Sequence, residues 1–505
     1  MFAPLLAVLI LGLLGSIGVL NPVVSHAAAT PAAVSWHADV RPVSIEAVAA
    51  LDPVLPSYQI DADLVVHGWA EPAVIRGTIA IRWVNDGPAP ATELPLRLYP
   101  NASGYEEGGM VVERIAVDGQ PVEATVSGDG TVLVAPLPEP VEPGDAAALT
   151  AQFSTTVPID STTAFGIFSV KTTARTIALA HWHPLLAGSD ERGWSLEPFS
   201  RNGDPVFAPA AHFDVTLRAP EQLVIVASGV ETSPAAANGR VEWSIRAGPV
   251  RELGLVAASR WAPGATSSGD VDISVWSMPG DDTAAAVVLT AAEAALRGFE
   301  GRFGPYPYTE LDVATVDLNG AVGMEYPGLI LVSPAIFDAV AAGDRFAETV
   351  VAHEIAHQWW YGVVGSNHHR HAFIDEGLAE LSGVALYLED RYGREVADAI
   401  WDAEVVSWWE RAREQGPALP AASATDDFAD RAAYAAAVYP QAAIGFAAIR
   451  ERIGDDAFFA ALAAVVREHA FGVVEPSDLK SAFAEACTCD IGSTWDAAFE
   501  TGWNP

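Results

Sequence analysis

The chain's hydrophobic texture changes after about residue 262, and that change restricts it to architectures built from a sheet part followed by a mostly helical part. From Tyr58 onward apolar residues alternate with polar ones: Tyr58, Ile60, Ala62 and Leu64 against Gln59, Asp61 and Asp63. Ile79, Ile81 and Trp83 repeat the pattern ahead of an Asp86-Gly87 turn. Period two places alternate side chains on opposite faces of a strand. Short runs of this kind, cut by Pro, Gly, Asn and Asp, continue to about Trp261 and predict an antiparallel β-sandwich over residues 57–262. The Pro-Gly-Ala-Thr-Ser-Ser-Gly stretch from Pro263 to Gly269 marks the domain boundary. Beyond it, Leu289, Ala292, Leu296 and Phe299 recur at helical spacing within Thr283 to Phe303. Leu311 to Val316 and Leu329 to Val332 read as strands, and almost everything past Arg345 reads as helix, Asp478 to Ala486 included. The expected fold class is multidomain α+β, with residues 270–505 as the second, mostly helical domain.

Composition agrees with a folded, multidomain chain. Half of the 505 residues are hydrophobic and 18 % are charged, which excludes general disorder. Lys and Arg number 27 against 65 Asp and Glu, a formal charge of −38, and lysine occurs only at Lys171 and Lys480. The basic footprint of a nucleic-acid binder is absent, so nucleic acid is excluded as a partner. An acidic surface favours solubility and cationic partners.

The N-terminus predicts export. Phe2 to Leu20 is almost wholly apolar, Asn21-Pro22 interrupts it, and Ser25-His26-Ala27 offers small residues at cleavage spacing. Residues 1–27 read as a secretory signal peptide or, since the 2–20 run approaches the length of a bilayer span, as a membrane anchor. Either sends the rest of the chain outside the cytoplasm. Residues 28–56 lack periodicity and read as a linker or arm. No later stretch is expected to cross a membrane. Cys487 and Cys489, in Cys-Thr-Cys, are expected as two unpaired thiols, because a bridge over one residue is hard to close.

The chemistry is concentrated in His353-Glu354-Ile355-Ala356-His357. Positions i and i+4 project from one helical face, so both imidazoles reach one ion with Glu354 beside it. Two neutral nitrogen ligands suit zinc, and a catalytic site needs one further protein ligand and a water. Glu376, in Phe373-Ile374-Asp375-Glu376-Gly377-Leu378-Ala379-Glu380, follows His357 after eighteen residues on a second predicted helix. Upstream stands Gly323-Met324-Glu325-Tyr326-Pro327, after Phe303-Gly304-Pro305-Tyr306-Pro307-Tyr308.

This ordered set resembles the gluzincin zinc aminopeptidases, the aminopeptidase N and leukotriene hydrolase-like metallopeptidases. Leu98-Tyr99-Pro100-Asn101, Trp182-His183-Pro184 and Gly193-Trp194 extend the likeness into the N-terminal part. The resemblance implies a thermolysin-like catalytic domain with one Zn²⁺ per chain on His353, His357 and Glu376. It implies Glu354 as general base, and Glu325, with Gly323 and Met324, as the strand that lines the cleft and meets a substrate's α-amine. Tyr439, in Tyr439-Pro440-Gln441-Ala442-Ala443, takes the oxyanion-stabilising position, with Tyr434 as the alternative. The implied function is an aminopeptidase acting on peptides. An endopeptidase or a hydrolase of non-peptide substrates on the same fold is the second reading, and a non-catalytic scaffold is a remote third.

Several residues depart from the family pattern or invite a second role. Tyr326 replaces the family's asparagine, which bears on how the substrate backbone is positioned; Asp375 also replaces an asparagine, and Gln441 and Ala442 replace lysine and glycine. His368, His369 and His371 form either a second metal site or, as expected, a solvated loop. Trp359 and Trp360 are expected to pack around the metal helix. Glu380 either accepts a hydrogen bond from a ligand histidine or faces solvent. With the chain ending soon after the catalytic part, weak recognition of a substrate's C-terminus is expected.

Overall fold

The computed structural model describes residues 37–501 apart from 38, 106–107, 163, 205, 234–235, 268 and 417. The expected signal peptide or anchor over residues 1–27, and the arm as far as 36, lie outside the described residues. Alternation in the N-terminal part becomes an eight-stranded sheet in the order Val230–Thr232, Arg240–Val250, Ala211–Pro220, Ser57–Val65, Ala73–Val84, Ala146–Val157, Gly109–Val117 and Gln120–Pro121. Its pairings are antiparallel except one: Ser57–Val65 runs parallel to Ala211–Pro220, with Ile60 opposite Val215. Ile60, Ile79 and Ile81 point inward and share one buried cluster with Leu94, Leu96 and Leu133 of a four-stranded sheet, which closes the layered core. The Tyr58 ring stacks on Phe213 at 4.4 Å, and its hydroxyl accepts from the Leu186 N–H at 2.9 Å, tying the two layers together.

Two expectations about the connecting segments are corrected. Within the expected arm, Ile45–Leu51 is a helix that buries Val48 completely. The Arg41 N–H donates to the Pro307 carbonyl at 2.8 Å, so this segment packs on the chain instead of spacing it. The Pro-Gly stretch after Trp261 is also more than a boundary, because Ala262–Ser267 forms an edge strand paired with Asp272–Ser277 through a bulge at Pro263 and Ala265. Proline is tolerated there because an edge strand and a bulge do not require every N–H.

The second part is a five-stranded mixed sheet in the order Ala262–Ser267, Asp272–Ser277, Glu310–Thr315, Leu329–Val332 and Gly323–Tyr326, followed by helices. The helix Asp282–Phe303 connects two parallel strands, and its Ala291, Ala292, Ala295, Leu296 and Phe299 are buried. Gly323–Tyr326 ends the sheet, and among the described residues no strand pairs with its outer edge. Arg431–Ile453 is one continuous helical segment long and apolar enough by length and composition to cross a membrane, contrary to expectation. Here 61 % of its apolar window is buried in the protein, as for a core helix.

Cys487 and Cys489 are bonded, correcting the expectation of free thiols. Thr488 caps the preceding helix in the left-handed conformation at φ 49°, which folds the chain back and brings the two Cα atoms to 5.1 Å. That separation lies inside the usual disulfide range.

Between the two parts, Glu231 of the first sheet meets Glu310 and Asp312 of the second, with carboxylate oxygens within 4.8 Å of one another. The Trp276 indole N–H donates to Asp312 at 2.7 Å. Burial pushes Asp312 up to about 7, and burial with the neighbouring Asp312 charge pushes Glu310 up to about 8. Groups with raised carboxyl pKa values bind protons more tightly in the folded state, so the stability they provide is complete in acid and is lost as pH rises through the folded values. Thermal unfolding midpoints should therefore fall between pH 5 and pH 8. Asp312→Asn, which keeps an acceptor for Trp276, should flatten that dependence, and an unaltered slope would show that the cluster does not set it.

Candidate metal centre and cleft

The helix Phe346–Ala356 presents His353 and, at its C-terminal cap, His357 one turn later. The following helix, Phe373–Glu380, carries Glu376 in its first turn. His353 Nε2 and His357 Nε2 lie 3.1 Å apart, and each lies 3.4 Å from Glu376 Oε2. Ligands about 2.1 Å from a tetrahedral zinc stand roughly 3.4 Å from one another, so these three donors have the spacing of one face of such a site.

Hydrogen bonding explains why the face is built for a cation. His357 Nδ1 sits 3.0 Å from the Trp360 carbonyl and His353 Nδ1 sits 3.1 Å from Glu380 Oε2. Both partners only accept, so each Nδ1 carries its proton and each Nε2 turns a lone pair inward. Glu376 Oε2 is buried without a hydrogen-bond partner. Two lone pairs and an anionic oxygen thus converge, an arrangement that a divalent cation satisfies and that the chain alone does not. Of the two readings of Glu380, the structure selects the one in which it orients a ligand histidine.

The other oxygen of Glu376 accepts from the Tyr439 hydroxyl at 2.5 Å. Tyr439 lies in a π-helical turn, Ala437–Gln441, that also contains Pro440. Proline lacks the N–H that would continue the α-helical ladder, and the wider turn directs Tyr439 toward the metal face. Tyr434, the alternative, is buried against Phe428 with ring centroids 5.7 Å apart and borders Gly203, where a Cβ would meet its hydroxyl at 2.2 Å.

Glu354 points to the strand Gly323–Tyr326. A Cβ on Gly323 would lie 2.0 Å from Glu354 Oε1, so glycine at this place is what lets the strand lie against Glu354. Glu325, on the same face two residues on, brings its carboxylate within 4.8 Å of ligand atoms of Glu354 and His357. Burial pushes the pKa of Glu354 up to about 8; His353 opposes this and Glu325 adds to it. Gly323→Ala should keep the zinc content and lower turnover about 10²-fold by displacing Glu354. Wild-type kinetics in that variant would show that the close approach is dispensable.

Two positioning residues belong to no motif that spacing reveals. Gln358 donates to the Tyr326 carbonyl at 3.1 Å and accepts from the Gly328 N–H at 2.8 Å, clamping the cleft strand to the metal helix. Its place directly after His357 is its only signal in the sequence. A Cβ at Gly383 would meet His353 N at 2.8 Å, so this glycine lets Leu381–Leu386, the π-helical continuation of the second helix, lie against the first.

The remaining candidates are sorted by packing. Met324 borders the cleft while packing in part on a second apolar cluster, whereas Tyr326 lies outside the cleft and fills that cluster with Ile167, Val226 and Val256, its ring pressed on Gly254. Tyr326, where the resemblance leads one to expect asparagine, therefore serves the contact between the two parts. His368–His371 is a short helix, not a solvated loop, because the Asn367 side chain accepts from the His369 N–H and the His368 carbonyl accepts from Thr425. Its histidines diverge: His368 pairs with Asp375 at 2.9 Å and His371 with Glu475 at 3.2 Å. Trp359 and Trp360 are buried, Trp359 donating to the Gly304 carbonyl at 3.0 Å.

The cleft has a volume of about 680 Å³ and receives one wall from the N-terminal part. Asn202, Gly203 and Asp204 line it, and the Asn202 amide donates to the carbonyls of Thr425 and Phe428 at 3.1 and 3.2 Å.

The third donor of this metal face thus comes from the helix that follows the two histidines, the arrangement that the resemblance to the gluzincins implies. Residues 288–497 match the family model described as the Peptidase family M1 domain. Among curated relatives, it is similar to Aminopeptidase M1-C of Oryza sativa subsp. japonica, 23 % identical over 58 % of this chain and 34 % of that protein. Endoplasmic reticulum aminopeptidase 1 of Homo sapiens is 27 % identical over 45 % of this chain and 24 % of that protein. The chain thus spans about a third or less of the length of these two relatives. A solved M1 zinc metallopeptidase from Deinococcus radiodurans, a point mutant bound to a Tyr-Ser-Ala substrate, superposes with a TM-score of 0.63 at 18 % identity, covering 90 % of this chain and 95 % of that one.

Proposed function

We propose that this chain is a zinc-dependent aminopeptidase that removes N-terminal residues from peptides. The observation that carries the reading is Glu325, a buried carboxylate on the cleft strand within 4.8 Å of Glu354 and His357 ligand atoms. A carboxylate one residue's length from the reacting carbonyl pairs with an α-ammonium and thereby measures off one residue. His353, His357 and Glu376 would hold the zinc, which when bound would supply an acidic water and a Lewis-acid contact for the carbonyl. Glu354 accepts the proton of that water and delivers it to the leaving amine. Tyr439 donates its hydroxyl to the carbonyl oxygen as charge develops there. Glu380 and the Trp360 carbonyl keep both ligand imidazoles in the tautomer that binds.

The apolar run over residues 2–20 and the Cys487–Cys489 bond support an exported protein, since disulfides persist in oxidising compartments. The function is tested by pairs of peptides with free and N-acetylated termini, with metal analysis on the same sample. Cleavage of the free peptide alone is the expected result. Equal cleavage of both would remove the aminopeptidase reading and favour an endopeptidase on the same centre.

A further inference from the structure

We infer that Arg431 anchors the C-terminal carboxylate of the substrate, so that the cleft is matched to short peptides with a free C-terminus. The inference rests on the aminopeptidase reading and extends it to the far end of the substrate.

The direction of a bound peptide follows from three placements. Glu325 takes the ammonium. Glu354 abuts Gly323, so the scissile carbonyl lies beside Gly323. The peptide then continues past Val322 and Ala321 toward Gly320, all of which line the cleft. Gly323–Tyr326 is the terminal strand of its sheet, and its outer edge offers backbone groups to an extended chain over this path.

Arg431 stands where that path ends. Its Nη2 donates to the Gly320 carbonyl at 3.1 Å and its guanidinium lies 4.1 Å from the Phe165 ring centroid, two contacts that hold it at the cleft wall. Neither contact neutralises its charge, and four further N–H groups remain to meet a carboxylate. From Glu325 to Gly320 is a span of at most about 18 Å, which an extended peptide of three to five residues matches. The cleft's other arginine, Arg411, belongs to a separate wall, the helix Ser407–Glu414. Recognition of the substrate's C-terminus, expected to be weak, is thus provided from within the catalytic part.

The test first finds the residue X whose arylamide is cleaved fastest by the full chain, then compares X-Gly-Gly as free acid and as C-terminal amide. In the wild type the acid should show about fivefold higher kcat/KM, the range of a partly exposed ion pair, and the ratio should shrink with added salt. In Arg431→Ala the ratio should fall to near one, and Arg431→Lys should retain part of it. Equal rates for acid and amide in the wild type, with the arylamide cleaved, would overturn the inference and leave the aminopeptidase reading standing. A preference that survives in Arg431→Ala and disappears in Arg411→Ala would overturn the assignment to Arg431. No cleavage of any arylamide or peptide would instead bring down the aminopeptidase reading itself.

Discussion

Glu354→Gln is expected to retain one zinc per chain and to lose about 10²–10⁴-fold in turnover, the usual contribution of a positioned general base. Glu354 is not among the three donors that face one another at 3.1 to 3.4 Å, so its charge is not needed to close the metal site. Glutamine has nearly the same shape and fits the space that Gly323 leaves. The variant therefore separates proton transfer from metal binding. Metal analysis and steady-state kinetics on one preparation check it: loss of zinc would move Glu354 into the ligand set, and undiminished turnover would end its assignment as base.

Tyr439→Phe carries the second large effect, a fall in kcat of about 10²–10³-fold with little change in KM, as for removal of one oxyanion donor. The hydroxyl is 2.5 Å from Glu376 and next to the metal face, whereas Tyr434 is packed against Phe428 beside Gly203. Tyr434→Phe should consequently be mild. Should Tyr434→Phe prove the more damaging of the two, the roles of the tyrosines are exchanged.

Local spacing makes much of this site legible in the amino-acid sequence. His353 and His357 share a face because four residues make about one helical turn, and that relation needs no tertiary information. Glu376 is reachable through its motif and its distance along the chain. Gln358 and Gly383 are not, because their roles exist only between elements: one spans a helix and a strand, the other sits where two helices touch. Thr488 shows a different limit, since a left-handed threonine that closes a short disulfide has no signature in composition. The Pro263–Gly269 stretch misleads through its turn residues, which an edge strand with a bulge also accommodates. Tyr326 is instructive because the alternation that removes it from the cleft is a property of the strand itself: neighbours face opposite ways, so the residue after Glu325 belongs to the packing between the two parts.

The wall formed by Asn202, Gly203 and Asp204 makes the reaction chamber joint property of both halves of the polypeptide. Chimeras that splice the helical half of one homologue onto the β-rich half of another will inherit a mismatched seam unless this loop travels with its Thr425 and Phe428 acceptors. Excising the helical half as a minimal enzyme would likewise open the chamber on one side. Engineering of selectivity therefore has to treat two distant stretches of sequence as a single design unit.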